Sequence, residues 1–142
     1  FTRYIGDEIS CQVRDGLSVN EALDAPMILA VFIELPEEAA GEFVDWYQTE
    51  HTPIVLSSPL WRMVRHMKIV DVDPNPFTHT FLHYVESEDV FESDVRAAAR
   101  ATDWRNRLAQ NDWFKTHAVH YHRHGKRYHK AEPEAATFKL DL

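Results

Sequence analysis

The chain has 142 residues, of which 44% are hydrophobic and 12% aromatic, and its formal charge is −8. This composition suits one domain with a real core, and it excludes a fibrous chain or one without a fixed fold. The acidic excess argues against nucleic acid as a partner, because a duplex-binding surface needs cationic side chains to displace counterions.

The single cysteine, Cys11, has no internal disulfide partner, and we expect a cytoplasmic location from this composition. No apolar run approaches the roughly 20 residues that a membrane helix needs, so we expect no membrane contact. The sequence begins at Phe1 without a signal-peptide pattern. We therefore expect the numbering to start inside a longer natural sequence.

The first 25 residues are polar and show little sustained periodicity. We interpret residues 1–25 as an N-terminal arm, with a short strand at 10–13 and a helical turn at 19–23. Whether this arm covers a pocket or reaches a neighbouring subunit is left open by the sequence.

A central strand and a first helix follow the arm. The apolar run at residues 27–35 predicts the strand, and Pro36 ends it. The acidic residues after this proline begin a helix that we expect to reach about His51, with Pro53 bending or ending it. Residues spaced on a helical wheel form an apolar stripe about 100° wide. The stripe consists of Ala40, Phe43, Val44, Tyr47 and His51.

The second half of the chain predicts two strands, a helix and a last strand. Residues 61–70 and 77–85 have strand character and are separated by a proline-rich turn. A second helix begins at Ser87-Glu88-Asp89 and runs to about Leu108. Residues 116–123 predict the fourth strand.

This order of elements predicts an α+β fold of the ferredoxin-like βαββαβ type, in which an antiparallel four-stranded sheet carries two helices on one face. The domain would span residues 26–125 and be followed by a polar C-terminal tail, 126–142. The other face of the sheet also carries apolar residues, and a second copy of the chain is its simplest cover. We therefore expect a homodimer.

Two adjacent segments resemble a known family. Phe43-Val44-Asp45-Trp46-Tyr47-Gln48-Thr49-Glu50-His51-Thr52-Pro53 resembles the EthD-like branch of the dimeric α+β barrel superfamily. Pro59-Leu60-Trp61-Arg62-Met63-Val64-Arg65-His66 is similar to the turn and arginine-rich second strand of that family. The resemblance covers residues 27 to about 123, and its specific motifs lie in 43–66. His66 and Met67 stand where the family tends to have Arg and Tyr.

The resemblance implies a ferredoxin-like monomer that pairs sheet to sheet, with a small-molecule pocket between the sheet and the helices. Members and relatives are cofactor-free decarboxylases, cyclases, isomerases and oxygenases that act on hydrophobic, often aromatic or polyketide-derived compounds. It therefore implies an enzyme of lyase or isomerase type, without a cofactor, acting on a hydrophobic oxygenated small molecule.

His51 is the first candidate for catalysis, because an imidazole in an apolar stripe loses hydration unless a partner or ligand compensates. Burial lowers its pKa and a helix C-terminus raises it, so we expect a value near neutrality, which suits a general acid or base. Tyr47 lies one helical turn earlier and could bind a substrate oxygen. The alternative for both residues is a structural role in the core.

Five further residues are predicted to contact the substrate: Trp46, Glu50, Arg65, His83 and Tyr84. Trp46 and Glu50 flank the apolar face of the first helix, and we expect Glu50 to pair with a basic sheet residue such as Arg65. His83 or Tyr84 faces the pocket according to which side of their strand turns inward, and the sequence leaves this open.

Histidines on the last two strands suggest an alternative chemistry, because alternate residues of neighbouring strands can bring imidazoles together around a metal. They are His79, His83, His120, His122 and His124. Their spacing matches no known metal site, so we predict no metal site and no cofactor. A haem- or metal-dependent oxidoreductase and a non-catalytic binding protein remain the alternatives.

Overall fold

The computed structural model describes residues 3–73 and 76–125, so the tail predicted for 126–142 lies outside the described residues. The fold is α+β, with a five-stranded antiparallel sheet of order β1-β3-β4-β2-β5. The strands are β1 (Arg3–Val13), β2 (Met27–Ile33), β3 (Trp61–Asp73), β4 (His79–Val85) and β5 (Thr116–His122). The last four have the helix connections of the predicted ferredoxin-like unit, with β2 between β4 and β5.

The N-terminal segment contributes a fifth strand, so the prediction of four strands was wrong. The strand predicted at 10–13 is only the end of the 11-residue strand β1, which pairs with β3. β1 lies at the edge of the sheet and leaves even Ile5 and Ile9 about half exposed. A polar edge strand of this kind lacks the apolar alternation by which a half-buried strand is recognised in a sequence.

The central strands bury both of their faces. On the side of the helices, Ile33 of β2 and Phe81 and Val85 of β4 have no exposed surface. On the other side, Ala30 and Phe32 of β2 are at most 5% exposed. A sheet that is buried on both sides needs a cover on each of them.

The chain itself supplies much of the second cover. The short helix α1 (Val19–Leu23) places Ala22 in one cluster with Met63 and Tyr84. The rings of Tyr4 and Phe77 lie 4.8 and 5.5 Å from the ring of Phe32. These residues need no second copy of the chain to bury them, and the homodimer stays a prediction.

The first helical region is longer than predicted and changes its winding at the expected site. It comprises α2 (Glu37–Trp46), a π-helical segment (Tyr47–His51) and α3 (Thr52–Leu56). Pro53 donates no backbone hydrogen bond, and its ring would collide with the carbonyl four residues earlier in a regular α-helix. The wider π-helical turn accommodates the proline, and the helix therefore continues past it. Such turns occur often at functional sites.

The second helical region consists of three short pieces, so the single helix predicted for residues 87–108 was wrong. A 3-10 turn (Glu88–Glu92) is followed by α4 (Asp94–Ala99) and α5 (Asp103–Leu108). The side chains of Ser93 and Thr102 each accept a hydrogen bond from a backbone N–H three residues later, and each begins a new helix. No helix within residues 3–73 and 76–125 is long and apolar enough to cross a membrane.

Candidate active site

A cavity of about 130 Å³ lies between the sheet and the two helical regions. An apolar cavity of about 150 Å³ holds a benzene molecule, so this one suits a single ring. Its wall carries large aromatic side chains, which include Phe43, Trp46, Trp61, Phe91 and Phe114. The polar side chains on the wall come from the first helical region, β4, the α4 region, α5 and the start of β5.

The polar end of the cavity is a chain of three hydrogen-bonded side chains. The indole N–H of Trp61 donates to Nδ1 of His83 over 3.1 Å, so Nδ1 carries a lone pair and no proton. The proton of the neutral imidazole is then on Nε2, which lies 2.6 Å from the hydroxyl oxygen of Tyr47 and donates to it. The hydroxyl proton of Tyr47 is thereby left for another acceptor, such as a ligand oxygen.

Both members of this pair keep their neutral forms. Burial is the larger cause and the nearby His51 the smaller one that together lower the pKa of His83 to about 3. Burial also raises the pKa of the Tyr47 phenol well above its usual range. The phenol ring stacks on Phe81 with 3.7 Å between the ring centroids, which fixes its position. Tyr47 is therefore suited to donate a hydrogen bond and unsuited to act as a base.

Three arginines also line the cavity, and we call Arg96, Arg100 and Arg105 the arginine cluster. Arg96 lies over the ring of Phe91 at 5.7 Å, and Arg105 lies over the ring of Phe114 at 5.3 Å. Burial and neighbouring arginines lower the pKa of both Arg96 and Arg105. Within the described part of the chain, no ion pair joins any member of the cluster to a carboxylate.

Sequence reasoning missed the arginine cluster. The available signals were the spacing of Arg96 and Arg100, which places both on one side of a helix, and the caps at Ser93 and Thr102. These caps break the region into two helices that turn their arginines toward one cavity. The prediction of one continuous helix over residues 87–108 concealed both features.

His51 lines the cavity beside Tyr47 and His83, and all three members of the arginine cluster act on its charge. Its ring centroid is 4.7 Å from that of Tyr47 and 6.2 Å from that of His83. Its Nδ1 is buried and has no hydrogen-bond partner among the described residues. A buried polar atom left in this state costs about 1–3 kcal/mol, so a ligand that bonds to it gains affinity.

The pKa of His51 is about 4, and the prediction of a value near neutrality was wrong. Burial is the largest cause of the lowering, a hydrogen bond to the Ala99 carbonyl opposes it, and the arginine cluster adds to it. The expected contribution from a helix C-terminus is missing, because the helix continues past His51 to Leu56. At neutral pH His51 is an uncharged imidazole that can accept a proton.

The structure divides the predicted substrate-contacting residues into two groups. Trp46 and His83 line the cavity with the candidate catalytic residues, which settles that the face carrying His83 turns inward. Tyr84 lies on the other face of the sheet, where its hydroxyl accepts a hydrogen bond from Arg65 at 3.2 Å. Placing Arg65 and Tyr84 at the site was therefore wrong.

Glu50 has a different partner from the one predicted. Its carboxylate accepts a hydrogen bond from the Thr102 hydroxyl at 3.0 Å and so ties the first helical region to the start of α5. Arg65 pairs instead with Glu8 of β1 at 2.7 Å. Glu50 does not line the cavity. Its hydrogen bond with Thr102 positions the start of α5.

The strand histidines are spread over the fold. His79 contacts the Thr78 hydroxyl at 2.8 Å, His120 stacks on Phe91, and His122 lies 3.4 Å from Glu88. No group of three or more His, Cys, Asp or Glu side chains suited to a metal occurs within residues 3–73 and 76–125. The imidazole convergence that the metal alternative requires is not found in this part of the chain.

No family model and no curated protein matches the sequence. Among solved structures, the fold is similar to the crystal structure of an ethyl tert-butyl ether d (EthD) family protein from Bacillus halodurans C-125. The two are 17% identical, the match covers 69% of this chain and 98% of that chain, and the TM-score is 0.44.

Proposed function

We propose that this chain is a cofactor-independent enzyme acting on a hydrophobic oxygenated small molecule, with His51 as its general acid and base. The observation that carries the proposal is the unpartnered Nδ1 of a neutral His51 beside a phenol whose proton is free to be donated. A proton acceptor and a hydrogen-bond donor thus face the same ring-sized space.

The proposed chemistry divides the work between these two groups. His51 takes a proton from carbon next to a carbonyl, and the electron pair moves onto the carbonyl oxygen. Tyr47 donates its hydroxyl proton in a hydrogen bond to that oxygen as negative charge develops there. The bond from His83 Nε2 holds the phenol in place and increases its strength as a donor.

The reaction class follows from where the proton is returned. His51 gives it back to a different carbon in an isomerisation. In a C–C cleavage His51 takes the proton of a substrate hydroxyl and returns it to the carbanion that the broken bond leaves. In a decarboxylation CO₂ departs, and the carbanion takes a proton that His51 has first accepted from solvent. A cyclisation uses the same enolate as a nucleophile. The aromatic wall, including Trp46, excludes water, which keeps these intermediates from being quenched.

Substitution of His51 tests this proposal when binding and turnover are measured separately. His51→Gln keeps a polar side chain of similar size, and we expect it to retain ligand binding while turnover of aromatic keto acids falls by about 10²- to 10⁴-fold. His124→Gln is the matched control, because His124 is exposed. Full activity in a folded His51→Gln protein would end the proposal.

A non-catalytic binding protein is the second candidate, and one observation favours it. A pKa of about 4 makes His51 a weak base in the empty cavity, as a site built only for binding would tolerate. Prolonged incubation with the same keto acids separates the two functions. Unchanged ligand recovered from the protein supports binding alone, and consumption that depends on His51 supports the enzyme.

A further inference from the structure

The arginine cluster gives the cavity a positive charge that no ion pair within the described residues balances. All three arginines line the cavity, and the pKa values of Arg96 and Arg105 are lowered by burial and by other members of the cluster, with no acidic residue among the causes. Glu50, whose carboxylate contacts the residue before α5, already accepts a hydrogen bond from Thr102. Like charges held together in a half-buried site repel one another.

A neighbouring arginine shows that this arrangement is specific to the cavity. Arg107 lies two residues after Arg105 on the same helix, and it pairs with Glu42 at 2.7 Å on the exposed side. The cavity side of α5 therefore carries an arginine without an acid, and the outer side carries one with an acid. An arginine that lines a cavity and forms no ion pair within residues 3–73 and 76–125 suits an anion from outside the chain.

We propose that the arginine cluster binds the carboxylate of a substrate whose apolar, ring-sized body fills the cavity. The inference rests on the proposed function for the reaction that this substrate undergoes. The chemical class of the substrate is inferred from the arginine cluster alone. The planar guanidinium fork matches a carboxylate with two parallel hydrogen bonds. A carboxylate also carries one charge, so it loses less hydration than a dianion on entering an aromatic-walled site.

The aromatic contacts of the cluster support this assignment. Phe91 and Phe114 hold Arg96 and Arg105 by their ring faces, so the two guanidinium planes are positioned before a ligand arrives. Arg96 also donates to the Phe91 carbonyl at 3.3 Å. Donors that are already in place lose little side-chain entropy on binding.

The anion and His51 are coupled through charge. The arginine cluster disfavours the imidazolium form of His51, and a bound carboxylate offsets that effect. The groups that face His51 are the cluster, Tyr47 of its own helical region and His83 of β4. Binding an acid thus makes His51 a stronger base, and it does so only when a substrate of the right charge is present.

The test measures binding of benzoate, benzamide, phenylphosphonate and inorganic phosphate to the full chain by calorimetry. Benzoate and benzamide have the same ring and nearly the same shape, and they differ in charge. We expect benzoate to bind at least about tenfold more tightly than benzamide, and Arg105→Gln to remove about tenfold or more of the benzoate affinity. Arg107→Gln is the matched control on the same helix and should change neither.

Several results would overturn the assignment. They are the absence of benzoate binding, equal affinity for benzoate and benzamide, and an Arg105→Gln protein that binds benzoate like the wild type. Tighter binding of phenylphosphonate or inorganic phosphate would instead assign the site to a dianion. Arg100→Gln, at an exposed position, gives the same comparison should Arg105→Gln fail to fold.

The His51→Gln protein separates this inference from the proposed function. Benzoate binding that persists in His51→Gln, together with turnover that is unaffected by the substitution, would leave the anion site standing and end the catalytic role of His51. If the protein bound benzoate and benzamide equally while turnover still depended on His51, the anion site would be refuted and the catalytic role of His51 would stand.

Discussion

Arginines on the two sides of this molecule have opposite surroundings. On β3, Arg62 pairs with Glu86 at 2.5 Å and Arg65 pairs with Glu8 at 2.7 Å, so each guanidinium has its own carboxylate. In the arginine cluster the described residues supply no carboxylate at all. Arg62 and Arg65 are partly exposed like Arg96 and Arg105, whereas Arg100 is exposed, and it is the arginine cluster that lines the cavity beside His51.

This contrast distinguishes arginines that stabilise the fold from arginines that are available to bind a ligand. Arg65 joins β1 to β3, since Glu8 lies on the neighbouring strand. A paired charge at a strand interface stabilises the folded state modestly. An unpaired cluster destabilises it, and such a cluster is tolerated where the missing charge arrives with a substrate.

The largest expected effect is on kcat/KM, when arginines of the cluster and an arginine on the far face of the sheet are neutralised in separate variants. The double variant Arg100→Gln/Arg105→Gln should lower kcat/KM for aromatic keto acids by about a hundredfold, because two charge-assisted hydrogen bonds to the carboxylate are lost. Arg65→Gln, on the far face of the sheet, should leave kcat/KM unchanged. Steady-state kinetics of the wild type, the double variant and Arg65→Gln test this prediction. An equal loss of kcat/KM in Arg65→Gln would contradict it.

Acid should unfold this protein through its buried histidines. The pKa values of His51 and His66 are lowered to about 4 and that of His83 to about 3, all below the value of 6.5 in an unfolded chain. Below pH 6.5 the unfolded state binds more protons than the folded state, so stability is fully present above pH 6.5 and falls from there toward pH 4.

His66 offers a clean measurement of that pH dependence, because both of its ring nitrogens are buried without a partner among the described residues. His66→Leu should reduce the slope of unfolding free energy against pH by up to about 1.4 kcal/mol per pH unit between pH 4 and 6.5. Urea denaturation at several pH values gives the slope. His124→Gln, exposed, should leave it unchanged, and an unaltered slope in His66→Leu would refute the low pKa.

The smallest expected effect is on the free energy of unfolding, which Arg105→Gln and Arg65→Gln should change in opposite directions. Without ligand, Arg105→Gln relieves repulsion within the arginine cluster and should raise the free energy of unfolding by about 0.5 kcal/mol. Arg65→Gln breaks a partly exposed pair and should lower it by about 0.5–1 kcal/mol. Thermal and urea denaturation of both variants measure the signs, and a loss of stability in both would mean that the cluster is structural.

The sequence reveals those parts of the fold in which apolar side chains repeat. The run Met27–Ile33 and the alternation in His79–Val85 predict two central strands, and both are present. The edge strand Arg3–Val13 is not recognised at its full length, because its exposed side chains form no such repeat. The break between α4 and α5 escapes because Ser93 and Thr102, which cap the helices, fall within an apolar pattern that also suits one long helix.

The candidate site shows a different limit. A helical wheel places Tyr47 and His51 on one buried side, and both line the cavity. Whether an arginine is paired depends on contacts between distant parts of the chain, and Arg65 and Glu8 are 57 residues apart. The wheel therefore identifies residues that face the core, whereas it cannot distinguish Arg65, which pairs with a carboxylate, from Arg105, which has no ion pair within the described part of the chain.

The titration of the His51 imidazole, followed by NMR with and without ligand, tests the central claim most directly. We expect a pKa of about 4 in the empty protein, a higher value with saturating benzoate, and no change with benzamide. His51→Gln identifies the resonance by removing it. A pKa near 6.5 in the empty protein, or one that benzoate leaves unchanged, would contradict an anion bound between the arginine cluster and His51.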